Sequence, residues 1–124
     1  MPVLTFPKQA RLLKPRDYSG VFDHVSVRVP HRHFLILAAP NDRGHARVGL
    51  IFSKKNLRLA VQRNRIKRAV RETFRLQSDL PPMDIIVMGR QGLADLENAS
   101  VNGILEDLWQ RLRRKARKAD AASG

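Results

Sequence analysis

Apolar and polar residues alternate along the chain in a way that predicts both strands and helices. The segment 46–53, ARVGLIFS, has the period of two expected of a strand. One predicted face is apolar and comprises Val48, Leu50 and Phe52. The opposite face comprises Arg47, Gly49, Ile51 and Ser53. A glycine beside polar residues is typical of a surface that another molecule approaches closely, although the strand alone favours a half-solvated face with a bulge glycine.

Two further apolar runs predict more strands. The run at 33–40, HFLILAAP, ends at Pro40 and is followed by the turn-forming sequence NDRG. The run at 83–89, MDIIVMG, follows LPP and ends at a glycine. Its near-continuous apolar character predicts a strand that is mostly buried.

Helical periodicity appears near both ends of the chain. Pro15 suits the first position of a short helix that places Tyr18 and Phe22 on one face. The C-terminal segment has a helical stripe with Asn98 or Ser100 available as N-cap, and the stripe comprises Val101, Ile104, Leu105, Leu108 and Leu112. Trp109 lies beside this stripe and is interpreted as a core-edge aromatic rather than a base-stacking residue.

A third helix is predicted over residues 57–76, with an apolar and a cationic face. The packing face comprises Ile66, Ala69, Val70, Thr73 and Phe74. The cationic face comprises Asn64, Lys67, Arg68, Arg71 and Arg75. Arg65 and Glu72 point farther round and are expected in solvent. Arg63 falls at the seam, so either its stem lies along the core edge or regular helix begins after it, and we favour the second.

The order helix, strands, helix, strand, helix predicts an α+β fold in which helices cover one sheet, as a two-layer sandwich. The 124 residues suffice for one domain, assigned to 1–124, with 1–9 and 119–124 expected to be flexible. Without a signal-peptide pattern or an apolar run long enough to span a bilayer, a cytoplasmic protein is expected.

Charge indicates the partner. Lys and Arg total 24 against 11 acids, a formal net charge of +13, which attracts polyanions. Residues 54–75 hold nine Lys or Arg and one acid, Glu72, whereas a merely solvated helix face normally intersperses acids. Without heptads or a helix-turn-helix pattern, RNA fits better than DNA. Tyr18 and Phe22 are candidate stacking platforms, with core packing equally open.

The absence of cysteine excludes disulfides, cysteine nucleophiles and thiolate zinc fingers. We find no Ser/His/Asp or paired-carboxylate arrangement, and the sequence HRH at 31–33 is interpreted as an exposed loop rather than a metal site. No catalytic residue and no metal ligand is therefore assigned to the protein.

The central sequence RVGLIFSKKNLRLAVQRNRIKRAVRETFR, residues 47–75, resembles the motif of the bacterial ribonuclease P protein subunit. The segments RLLKPRDYSGVF and LPPMDIIVMGRQG and the terminal helix also resemble the family, so the likeness covers most of 10–115. It implies the protein subunit of an endonuclease that removes the 5′ leader from precursor tRNA. In that family the protein binds a catalytic RNA that holds the Mg²⁺, and no membrane or further protein partner is implied.

The resemblance also implies two sets of binding residues. Those expected to contact the catalytic RNA are Lys54, Lys55, Arg63, Asn64, Arg65, Lys67, Arg68 and Arg71. Those expected to contact the precursor-tRNA leader, in a cleft between the first helix and the sheet, are Tyr18, Phe22, Arg47, Gly49, Ile51 and Ser53. Such contacts, made by substrate and lost from product, favour discrimination between them.

The fold implied by the family is that of ribosomal protein S5 domain 2, with a left-handed βαβ crossover where topology rules predict a right-handed one. The chain departs from the motif in having LRLAV where a glycine-containing turn is common, and in having Tyr18 in place of phenylalanine. The leading alternative is a ribosomal or ribosome-assembly protein without a role in cleavage. A nuclease with its own active site ranks last because an acidic cluster is absent.

Overall fold

Among the residues that the structure describes, three α-helices and four strands follow one another in the predicted order. The computed structural model describes residues 10–12, 14–77 and 80–123. The elements are α1 (Pro15–Asp23), β1 (Val27–Pro30), β2 (Phe34–Pro40), β3 (Arg47–Ile51), α2 (Ala60–Arg75), β4 (Met83–Gly89) and α3 (Asn98–Ser123). Residues 1–9, expected to be flexible, lie outside the described residues. Residues 119–123 continue α3, and the flexibility of that end stays a prediction.

The strands form one sheet in the order β1-β2-β4-β3. β1 and β2 are antiparallel, as are β2 and β4, whereas β3 and β4 are parallel neighbours joined through α2. This is the βαβ unit that the resemblance implies. β1 was not predicted, although Val27 and Val29 are buried and Arg28 between them is exposed. Four residues give too short an alternation to distinguish a strand from a loop.

The main hydrophobic core lies between one face of the sheet and the helices α2 and α3. Val48 is buried there, and Leu50 and Phe52 pack against it, so the predicted apolar face of β3 is confirmed. The helix stripe is also confirmed, since Leu105, Leu108 and Leu112 are fully buried. α3 begins at Asn98 itself, so neither Asn98 nor Ser100 occupies the predicted N-cap position.

Trp109 is the largest fully buried side chain, which confirms its interpretation as a packing residue. Its ring lies 5.5 Å from that of Phe74, edge to face. Its indole Nε1–H donates to Oγ1 of Thr73 at 2.9 Å, and that hydroxyl donates to the carbonyl of Ala69 at 2.8 Å. These bonds join α3 to α2 inside the core.

We expect Thr73→Val to lower the free energy of unfolding by about 2 kcal/mol, because a buried indole N–H loses its acceptor while the side-chain volume is kept. Urea denaturation measures this change. Thr73→Ser is the control, because it keeps the hydroxyl and so the bond. An equal loss in both variants would mean that packing rather than the hydrogen bond sets the cost.

The other face of the sheet is covered in part by α1. A smaller cluster forms there from Leu12, Val21, Leu37, Ala39 and Ile86. α1 begins at Pro15 as predicted, and the backbone N–H of Lys14 donates to Oδ2 of Asp17 at 3.1 Å, which stabilises the first turn. With nine residues, α1 is too short to cover the whole face.

Candidate nucleic-acid interface

The helix α2 exposes a cationic surface opposite its packing face. Ile66, Val70, Thr73 and Phe74 are buried, which confirms the predicted packing side. On the outer side Asn64, Arg68 and Arg71 are exposed, whereas Lys67 and Arg75 are half-buried. The described residues place no acid in the first turn of α2. A polyanion therefore meets positive side chains together with the positive end of the helix dipole.

Arg63 lies inside α2, so the expectation that regular helix begins after it was wrong. The helix begins at Ala60. The guanidinium of Arg63 turns back and donates from Nη1 to the carbonyls of Leu57 at 2.8 Å and Arg58 at 3.1 Å. Because these bonds hold the loop that enters the helix, Arg63 supports the surface as well as adding charge to it.

Arg65 was expected in solvent, and that expectation was also wrong. Its side chain is half-buried against α3. Nη1 donates to Oδ1 of Asn98 at 2.8 Å, and Nη2 lies 3.4 Å from the carbonyl of Leu93. The periodicity of α2 alone does not indicate this contact, because Asn98 belongs to the start of α3, which lies beside α2 in the fold. Glu72 is exposed as expected.

The loop before α2 presents three exposed cations, Lys54, Lys55 and Arg58. Leu57 within it is fully buried in the main core. The backbone N–H of Leu57 donates to the carbonyl of Ser53 at 3.0 Å, and Nδ2 of Asn56 donates to the carbonyl of Gly89 at 3.2 Å. Leu57 anchors this loop without the glycine-containing turn that is common in the motif.

A partly exposed apolar row crosses the sheet beside α1. Strand register aligns Leu35 of β2 with Met88 of β4, and Met88 with Ile51 of β3. All three side chains are half-buried and face the α1 side. Phe22 on α1 is 46% exposed, and Ser53 is exposed beyond Ile51. The three sheet residues therefore form an apolar row that α1 leaves partly exposed.

Tyr18 lies directly on Gly49, which explains the glycine in β3. A Cβ added to Gly49 would lie 2.6 Å from Cε1 of the tyrosine ring. The Tyr18 hydroxyl is 3.4 Å from the carbonyl of Leu12, to which it donates. The close approach inferred from the sequence is therefore made by this chain's own helix, and Gly49 is buried beneath it.

We expect Gly49→Ala to lower the free energy of unfolding by about 1–2 kcal/mol, because the added methyl group displaces Tyr18 and with it α1. Thermal denaturation followed by circular dichroism measures the effect. Gly103→Ala is the matched control. A Cβ at Gly103 meets nothing within 4 Å, and alanine in a helix interior stabilises by about 0.5–1 kcal/mol. Equal changes in both variants would contradict the clash with Tyr18.

Arg47 lies beneath α1 in an ion-pair network rather than on an open surface. The residue is 8% exposed. Its Nε and Nη2 donate to Oδ1 and Oδ2 of Asp84 at 2.8 and 2.7 Å, and Nη2 lies 3.6 Å from Oδ1 of Asp17. The prediction that this charge faces a ligand overlooked Asp84, which lies 37 residues along the chain but directly opposite in the parallel register.

The network shifts the pKa values of both partners toward the charged forms. Burial alone would raise the pKa of Asp84, but hydrogen bonds from Arg47 and Asn41 outweigh it and hold this pKa below its ordinary value. Hydrogen bonding to Asp84 raises the pKa of Arg47. The pair is therefore ionised at neutral pH and joins β3 to β4 beneath α1.

A second concentration of charge lies where the apolar row ends. A groove there of about 510 Å³ is lined by Arg32, Lys55, Asn56, Gly89, Arg90 and Gln91. The HRH segment forms the loop between β1 and β2, where Nδ1 of His33 lies 2.7 Å from the carbonyl of Gln91. Burial, and then the nearby charge of His33, lowers the pKa of His31. Within residues 10–12, 14–77 and 80–123, no three metal-ligating side chains cluster.

Leu35, Met88 and Arg90 were missed as surface residues by the sequence reasoning. The sequence carried the signal for this face, because residues an even number of positions apart in a strand point to the same side. Leu35 is related in this way to Leu37 and Ala39, and Met88 and Arg90 are related in this way to Ile86. Runs that are apolar at every position conceal which residues face a partly covered side. Only the strand register places them beside Ile51.

Comparison with known proteins identifies the chain. The family model named Ribonuclease P matches residues 6–113, which include α1, α2 and the whole sheet. The chain belongs to the ribonuclease P protein family. It is 69% identical over 119 residues to the ribonuclease P protein component of Marinobacter nauticus, covering 96% of this chain and 90% of the relative. For that of Chromohalobacter salexigens the identity is 51%, covering 95% and 93%.

Solved structures of ribonuclease P proteins have the same fold. The Staphylococcus aureus protein superposes with a TM-score of 0.76 at 33% identity, over 82% of this chain and 93% of that one. The Thermotoga maritima protein gives a TM-score of 0.70 at 28% identity, over 84% and 96%. These matches confirm the α+β fold that the order of the elements predicts. Among the described helices of this family member, none has the length and apolarity needed to cross a membrane.

Proposed function

We propose that this chain is the protein subunit of a bacterial ribonuclease P, which binds a catalytic RNA and assists removal of the 5′ leader from precursor tRNA. The observation that carries the proposal is the family match over residues 6–113, a range that contains both the cationic α2 surface and the apolar row beside α1. The two surfaces suit two different RNA segments. We expect the protein to act in the cytoplasm.

The cationic surface suits the folded catalytic RNA. Lys54, Lys55, Arg68 and Arg71 are exposed on one loop and one helix that are both anchored in the core. Phosphate contacts of this kind release counterions and supply affinity that depends on salt. Asn64 adds an amide that both donates and accepts, which suits a ribose hydroxyl or a base edge. Lys67 adds charge beside them, Arg63 also holds the loop that enters α2, and Arg65 also contacts α3.

The apolar row beside α1 suits the single-stranded leader. Unpaired RNA bases stack on aromatic rings and apolar surfaces. The row offers Leu35, Met88 and Ile51, and α1 offers the rings of Tyr18 and Phe22. Ser53 extends the apolar row. The basic groove that is lined in part by Lys55 and Arg90 lies at the end of this row. Arg47 and Gly49 contribute from beneath, by holding the sheet and admitting the tyrosine ring.

The chemical step is assigned to Mg²⁺ bound mainly by the RNA. The described residues offer no cluster of three His, Asp or Glu side chains, so they do not fit a resident Mg²⁺ site. The protein's contribution is electrostatic and positional. Its net charge of +13 offsets the repulsion between catalytic RNA and precursor tRNA, which lowers the Mg²⁺ concentration that their association requires.

Cleavage of precursor tRNA at low Mg²⁺ tests this proposal. Three reactions are compared: a bacterial ribonuclease P RNA alone, the purified protein alone, and both together. We expect cleavage mainly in the mixture. Absence of stimulation would favour the ribosomal or ribosome-assembly alternative, and cleavage by the protein alone would overturn the assignment of chemistry to the RNA.

Phe22→Ala tests the leader groove. We expect the holoenzyme's affinity for precursor tRNA to fall about tenfold, since loss of one stacking platform removes about 1–3 kcal/mol per base, while its affinity for mature tRNA is unchanged. Leu76→Ala is the matched control, because Leu76 is also a large exposed apolar residue, at 68%, but follows α2. Equal losses for precursor and mature tRNA would contradict leader binding at this site.

A further inference from the structure

The helices α2 and α3 lie side by side and enclose an open groove at their N-terminal ends. Arg65 of α2 contacts Asn98 of α3. Thr73, which lies eight residues further along α2, contacts Trp109, which lies further along α3. Because the second contact lies nearer the C-terminus of both helices, the two helices run in the same direction. Their positive dipole ends therefore lie toward the same end of the molecule.

The groove has a volume of about 390 Å³ and is open to solvent. It is lined by Val61, Asn64, Arg65, Arg68, Ala69, Glu72, Asn98 and Asn102. This set combines three amides and two guanidiniums with two small apolar side chains. Glu72 is its one acid, which leaves the groove net positive. Such a groove is too narrow for an RNA duplex and has the scale of a single nucleotide.

Arg65 forms a fixed wall of this groove. Its Nη1 donates to Oδ1 of Asn98 at 2.8 Å and its Nη2 lies 3.4 Å from the carbonyl of Leu93, so protein contacts orient the planar guanidinium. Arginine planes are among the surfaces on which unpaired RNA bases stack. A guanidinium that is already ordered loses less entropy when a base is added.

The amides around this wall have hydrogen-bonding capacity to spare. Asn98 uses its carbonyl oxygen on Arg65, which leaves its NH₂ group for a ligand. In the part of the chain that the structure describes, the amide groups of Asn64 and Asn102 form no protein hydrogen bond. Together they present donors and acceptors of the type that read the edges of a base.

An exposed apolar side chain completes the groove. Val61 is 71% exposed although it belongs to the first turn of α2. A solvent-facing valine beside arginines contributes little to a monomer, whereas it suits contact with the face of a base or sugar. Arg68, exposed at the edge of the groove, is placed to meet the phosphate of the same nucleotide.

We propose that this groove binds the base of one unpaired nucleotide of the catalytic RNA, stacked on Arg65 and contacted at its edge by Asn64, Asn98 and Asn102. The proposal rests on the proposed function and adds to it a contribution from α3. A phosphate contact adds affinity without distinguishing RNA sequence, whereas an inserted base requires an unpaired position at one place in the RNA. The groove would therefore fix how the protein is seated on its RNA.

Asn102→Ala tests the groove. We expect the affinity for a bacterial ribonuclease P RNA to fall about fivefold, the usual effect of losing one hydrogen bond, with no change in the slope of affinity against salt, because no charge is removed. Asn102→Phe, which fills the groove, should cause a larger loss with the same slope. Gln110→Ala is the matched control, since it removes an exposed amide from α3 outside the groove.

Dimethyl sulfate probing of the RNA gives a second readout. The wild-type protein should protect an unpaired adenine or cytosine that becomes reactive in the complex with Asn102→Ala and stays protected with Gln110→Ala. Wild-type affinity and protection in Asn102→Ala would overturn the groove proposal while leaving the proposed function intact. A wild-type protein that neither binds the RNA nor stimulates cleavage would overturn both.

Discussion

Replacing Arg68 and Arg71 together by alanine should weaken binding to a bacterial ribonuclease P RNA by at least tenfold and make its salt dependence shallower by about two in log–log slope. Both side chains are exposed on the outer side of α2, where no packing depends on them. Affinity measured at several salt concentrations gives both quantities. Circular dichroism should be unchanged, because alanine favours the helix at least as well as arginine.

The matched control removes the same amount of charge from another surface. Arg16→Ala with Arg43→Ala lowers the net charge equally, but these residues line a groove between α1 and the loop after β2. If affinity depends only on net charge, the two double variants will bind equally. A loss of helical signal in the α2 variant would instead mean that these arginines serve the fold.

Replacing Asp84 by alanine should lower the free energy of unfolding by about 3 kcal/mol, because the guanidinium of Arg47 then lies nearly buried without its bidentate partner. The side chains of Arg47 and Asp84 are 9% and 16% exposed, so water compensates little. Urea denaturation measures the loss. Asp42→Ala is the control, since it removes an exposed carboxylate two residues beyond the end of β2.

Low pH should remove the contribution of the same pair. The folded-state pKa of Asp84 is held below its ordinary value, so its pairing contributes fully above the unfolded-state pKa and is lost as the pH falls through the folded-state pKa. The stability difference between wild type and Asp84→Asn should therefore shrink as the pH is lowered below about 4. A difference independent of pH would mean that charge at Asp84 is irrelevant to stability.

The parts of the fold that depend on local pattern were predictable. The apolar stripe of α3, the limits of β4 and the two faces of α2 were all confirmed, because each is fixed by a period that a short segment carries by itself. The alternation of β3 was confirmed for the same reason. The motif at 47–75 supplied the family, which periodicity alone does not specify.

The failures share a different cause, which is a partner distant in sequence. Arg65 was placed in solvent because Asn98 lies 33 residues away, and Arg47 was placed on an open face because Asp84 lies 37 residues away. Gly49 was expected on a half-solvated face or on a surface approached by another molecule, yet Tyr18 of this chain covers it. Each error concerns a polar or small residue whose environment is set by tertiary contacts.

The position of β4 has a consequence for synthesis of the chain. It is a central strand, bonded to both β2 and β3, yet it is the last strand to be made. The core also requires Leu105, Leu108 and Leu112 of α3. Such contacts between distant parts of the chain give a high contact order and delay folding. The sheet and its core therefore form only after both β4 and α3 have left the ribosome.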